Sequence, residues 1–101
     1  MKIIKVLAEQ ITDEVEGAVE YAKMALEQKG VDNELSKLYY ELAKTEYTHV
    51  QKLHEAAIRK INEAKTSGAN PPQYMLDKWD ETHTQLIDRM AKVKTFMDMY
   101  N

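Results

Sequence analysis

Glu46 and His49 stand three residues apart in a stretch that reads as continuous helix, "LYYELAKTEYTHVQKLHEAA", Leu38 to Ala57. Residues at that spacing share a helix face, so a carboxylate and an imidazole are aimed at one spot. Both fall on the side where this helix carries its apolar series, Leu35, Leu38, Leu42, then Leu53, Ala57 and Ile61. A buried carboxylate without a partner is very costly, and an unpaired imidazole is also unfavourable. Two arrangements would satisfy them. One is a polar cluster held by mutual hydrogen bonds and ion pairs. The other is a metal ion, for which oxygen and imidazole nitrogen donors suit iron, manganese or zinc. Carboxylate-bridged di-iron bundles draw a Glu from each of two helices and a Glu-x-x-His from each of two others, which puts iron first.

The elements that must position these residues are three helices. The pattern breaks twice. At "KGVDN", Lys29 to Asn33, Gly30 suits the left-handed residue after a helix end, and Asp32 or Asn33 can cap the next helix. At "TSGANPPQ", Thr66 to Gln73, Gly68 ends one helix. Asn70 there reads as an N-cap, Pro71 as the first helical residue and Gln73 as the partner in a capping box. The predicted helices are residues 2–29, 33–66 and 71–99, all within one domain spanning 1–101. The middle helix would be about 50 Å long at roughly 1.5 Å per residue, which suits a bundle. The first helix shows the stripe Ile4, Leu7, Ile11, Val15, Ala18, Ala22, Ala25, and the third shows Leu76, Trp79, Leu86, Met90, Val93, Met97.

These stripes turn polar elsewhere too, at Glu14 in the first helix and at His83, flanked by Asp80, in the third. A tight antiparallel hairpin about Gly30 to Asp32 brings Glu14 level with Thr48, between Glu46 and His49. Glu16 is level with Glu46 but points away from the stripe, which makes it the reserve ligand. A turn about Gly68 to Asn70 sets His83 level with Glu55, about two turns from His49, and sets His49 level with Arg89. One chain then offers Glu14, Glu46 and His49, half of a di-iron set. Asp80 and His83 stand as further reserve ligands. The other half comes most simply from a second copy in an isologous homodimer, alone or within a higher homo-oligomer.

Composition excludes other chemistries. The net charge is −3 and no Lys/Arg cluster forms a phosphate-binding stripe, so nucleic acid is not an expected partner. The absence of cysteine removes zinc–thiolate sites, iron–sulfur clusters and thiol nucleophiles. No apolar run approaches a membrane span, and the apolar start "MKIIKVLAEQ" is too short and too soon broken for a signal peptide. The expectation is a cytoplasmic protein without a membrane partner.

"EVEGAVEYAKMAL" followed by "ELAKTEYTHVQKLHE" resembles the ferritin-like superfamily, in particular its rubrerythrin and encapsulated-ferritin branch. The resemblance covers residues 10–57: a Glu with a Tyr seven residues later, a short acidic turn, and a Glu-x-x-His in the next helix. "KWDETH" is a looser match to the Trp- and His-containing stretch of encapsulated ferritins. The resemblance implies an all-α fold, a long antiparallel hairpin plus a third helix, completed as a four-helix bundle by dimerisation. It implies a di-iron centre between subunits and Fe(II) oxidation of the ferroxidase or peroxidase type. Glu14, Glu46 and His49 would then be the ligands, Tyr21 would stand just behind them, and acidic residues such as Glu16 would guide ions inward. The chain departs from the pattern in its longer middle helix, in His83, and in "FMDMYN", which is unlike a flexible shell-targeting tail. Two readings of other classes remain open: a structural or adaptor protein that keeps the hairpin without redox work, and a regulator whose dimer responds to metal.

The remaining polar and soft residues read as packing. His83 with Asp80 is the usual carboxylate-held histidine. His54, beside Glu55, points off the stripe and reads as solvated. Met75, Met90, Met97 and Met99 recur at helical spacing as gap fillers. Tyr39, Tyr40 and Tyr47 fit an amphipathic dimer seam. Gly17, a poor helix former, would allow a close approach beside Glu14.

Overall fold

A computed structural model describes residues 2–68 and 71–101. It is all-helical: α1 (Lys2–Gln28), α2 (Asn33–Thr66) and α3 (Gln73–Tyr100). Together they form a rod of 55 × 17 × 17 Å. None of these helices is long and apolar enough to cross a membrane.

The first turn is built as its residues demand. Gly30 takes φ +82°, and the Val31 and Asp32 amides donate to the Gln28 carbonyl. Asp32 caps α2, its Oδ1 accepting from the Leu35 amide at 3.0 Å. Gly68, at φ +77°, closes the C-terminal end of α2 in the same left-handed way. The start of α3 differs from expectation. Pro72, extended at ψ 145°, is the N-cap residue, and among the described residues no side chain caps the helix. The cause is the double proline, because a residue before proline is pushed out of the α region, which keeps Pro71 from opening the helix. Gln73 is instead the first helical residue and donates to Asp77 Oδ1 at 3.0 Å. The expected cap at Asn70 lies outside the described residues.

Helix α1 is the central element. It packs closely on α2 and more loosely on α3, while α2 and α3 meet at few points. Every member of its expected stripe is buried, from Ile4 through Ala25. The buried line of α2, by contrast, is Ser36, Ala43, Val50, Ala57, Ile61 and Ala64, one position round from the expected leucines. Leu38 is 49% exposed, and Leu35, Leu42 and Leu53 are only partly covered. The physical reason is close approach. Near the first turn, Ala43 packs with Ala18 and Ala22 of α1 and Ser36 meets Ala25, the three α1 alanines being fully covered. Leucines on that line would hold the helices apart. Ser36 pays no desolvation penalty, since its hydroxyl donates to the Ala25 carbonyl. Helix α3 lays Met75, Trp79, Thr82, Leu86 and Val93 inward; Thr82, not His83, holds the buried place between Trp79 and Leu86. Tyr40 and Tyr47 face α3 within the chain, Tyr40 stacking on Tyr100 at 4.2 Å and Tyr47 packing beside Ala18, Ala22 and Val93.

Candidate metal centre

Glu14 projects from the middle of α1, and Glu46 and His49 from the middle of α2, on the side of α2 away from the line Tyr40, Tyr47 and His54 that faces α3. The three are not in the closed core. Their side chains are 33%, 21% and 47% exposed, at the rim of the α1–α2 seam. The shift of the α2 core line explains this, because it moves the Leu42–Glu46–His49–Leu53 flank to the edge.

The register expectation holds. His49 Nδ1 lies 3.7 Å from Glu14 Oε2 and 3.7 Å from Glu46 Oε1. One donor atom from each residue lies within 4.8 Å of the others, and these three are the group of His and carboxylate side chains, among the described residues, that could hold a metal ion. The distances are too long for hydrogen bonds. They fall within ion-pair range, and they are also compatible with a bound ion: donors about 2.1 Å from a common centre stand 3.7 Å apart when they subtend roughly 120°. Electrostatics point the same way. Two carboxylates within 4.8 Å repel each other by about 1–3 kcal/mol for an effective dielectric between water and protein surface. A cation between them reverses that sign.

Gly17 borders the same place. A Cβ there would come 3.7 Å from Glu46 Oε2, an ordinary contact. Its lack of a side chain leaves the Glu46 carboxylate open to approach, and no clash requires glycine at that position.

The reserve residues lie elsewhere. Glu16 is exposed and accepts from Arg89 of α3 at 3.1 Å. Asp80 is exposed on α3 and does not join the cluster. His83 stacks on Trp79 and His54, with ring centroids 5.8 and 5.0 Å away. Tyr21 is half-buried against the Ala18 and Ala22 patch and stacks on Tyr39 at 6.1 Å, two turns from Glu14 on the same helix face.

No protein-family model, curated protein or solved structure matches the chain.

One residue was misjudged from the sequence. His54 is not solvated: its Nε2 is buried without a hydrogen-bond partner among the described residues, and its ring stacks on His83 and Trp79. Burial first, and then neighbouring His83, hold its pKa below the usual histidine value, against a smaller opposing pull from Glu55. The signal was present in the register, which set His83 level with Glu55, the residue after His54.

Proposed function

We propose that the chain is a ferritin-like metal-binding protein in which Glu14, Glu46 and His49 hold iron at a site shared between two copies, and that it oxidises Fe(II). The observation that carries this reading is the convergence of two carboxylates and one imidazole, from two helices, with donor atoms within 4.8 Å of one another and His49 3.7 Å from each carboxylate. The donor set fits iron, with manganese or zinc as alternatives. Bound iron would supply electron transfer toward oxygen or peroxide, which no side chain of this chain can provide alone.

The residues themselves do the holding. Glu14 and Glu46 come from different helices, so a cation between them ties α1 to α2. His49 contributes the nitrogen donor and is the most open of the three. Three donors leave part of a metal's coordination unfilled. A second copy related by a two-fold axis would bring another Glu14, Glu46 and His49 to the open side. The surface for it is at hand, since Leu35, Leu38, Leu42 and Leu53 run along α2 on either side of Glu46 and His49 and are only partly covered.

That same leucine flank also favours a second reading, a helical assembly protein that dimerises with no redox work. Loading with Fe(II) without oxygen, counting metal per chain, then admitting oxygen and following absorbance separates the two. The first reading expects uptake, an absorbance change on oxygen, and loss of both in a Glu46→Ala/His49→Ala variant. Dimerisation without uptake in the unaltered chain leaves the assembly reading standing alone.

A further inference from the structure

His54 and His83 sit on the side of α2 opposite the metal centre, and the proposed function makes no use of them. Their rings stack at 5.0 Å with 20° between planes, and both lie against Trp79, at 5.9 and 5.8 Å. Direct contact between α2 and α3 is sparse, so this stack is a substantial part of what joins them. Beside it is a hollow of about 170 Å³ lined by Val50, Gln51, Leu86, Ile87 and Met90 together with the two histidines.

We propose that the His54–His83–Trp79 stack is an acid-sensitive latch: neutral imidazoles hold α3 against α2, and protonation loosens that edge and widens the hollow.

The geometry gives the direction. His54 Nε2 is buried with no acceptor among the described residues, so a proton placed there finds none of them to donate to. A second proton on His83 would set two positive rings in a stack. The groups that face the pair do little to offset this. From α2, Glu55 acts on His54 but is exposed. From α3, Asp80 lies one turn before His83 and is also exposed. From α1, the core members that share a cluster with Trp79 are Ile4, Leu7, Ala8, Ile11 and Val15, none of which titrates, and the charged Lys5 and Glu9, of opposite sign, line a hollow at Trp79. The His54 pKa is depressed, so the unfolded or undocked chain takes up the proton first. The contribution to docking is therefore complete above the ordinary histidine value, about 6.5, and is lost as pH falls through it toward the lower folded value.

Trp79 is the single tryptophan and reports on the stack directly. Its emission maximum and its accessibility to acrylamide are measured on the metal-free chain from about pH 7.5 down to about pH 5, the range in which histidine titrates. The latch predicts a shift of the maximum to longer wavelength and a rise in quenching constant as pH falls. Both changes should vanish in His54→Gln/His83→Gln and in His54→Phe/His83→Phe, the second of which keeps aromatic stacking. His49 is retained in both variants, so any contribution from it is common to all three proteins. Simple quenching by a protonated ring would lower intensity without shifting the maximum, and would lower the quenching constant and not raise it. An unmoved maximum in the wild type while both histidine NMR signals titrate overturns the proposal. So does an unchanged acid shift in a folded variant.

Discussion

Replacing Gly17 with alanine should stabilise the metal-free protein. Gly17 lies inside α1, about three turns or more from either helix end, where glycine costs about 1 kcal/mol relative to alanine, chiefly through backbone freedom in the unfolded chain. The gain survives only if the added methyl meets no obstacle. The nearest atom to a built Cβ is Glu46 Oε2, at 3.7 Å, which is ordinary van der Waals distance. The expected net gain is therefore about 1 kcal/mol, less a few tenths for partial desolvation of the Glu46 carboxylate. For a domain of this size that is a rise in Tm of about 5 °C. Circular dichroism melts at several protein concentrations measure it and separate folding from association. A fall in Tm would refute the reasoning, because it would mean that the α1–α2 seam is closer at Gly17 than 3.7 Å allows, or that another chain packs there.

Two further substitutions probe the two faces of α2. Ala43→Leu, on the fully buried line, should destabilise by about 1–3 kcal/mol through overpacking against α1, read as a lower urea midpoint. Leu38→Glu, on the half-exposed flank, should change monomer stability by no more than about 0.5 kcal/mol and shift the measured mass from dimer to monomer in light scattering. A retained dimer in that variant would place the subunit interface on another face.

The number of helices, the left-handed turns at Gly30 and Gly68, and the whole inward stripe of α1 were legible in the sequence, because glycine geometry and a regular run of Ile, Leu, Val and Ala leave few alternatives. The register was legible too. Equal rise along two antiparallel helices places Glu14 beside Glu46 and His49, and the 3.7 Å distances agree with it. The inward line of α2 was legible only in part: Ala57 and Ile61 are buried as the stripe has them, but the leucines before them are not the most buried residues. Ser36 and Ala43 owe their place to small size, a property that hydrophobic patterning undervalues. That shift is also why Glu46 and His49 lie at the rim of the seam and not in its centre. His54 was missed for a related reason: a histidine off the leucine line looks solvated until the neighbouring helix is shown to cover it.

The central claim, that Glu14, Glu46 and His49 bind metal, is tested most directly by anaerobic equilibrium binding of Fe(II) to the wild-type chain and to Glu46→Ala/His49→Ala, with folding of both checked by circular dichroism. A saturating signal near one metal per chain in the wild type, absent in the folded variant, is the predicted result. No saturable uptake by the wild type, or equal uptake by the variant, would contradict it.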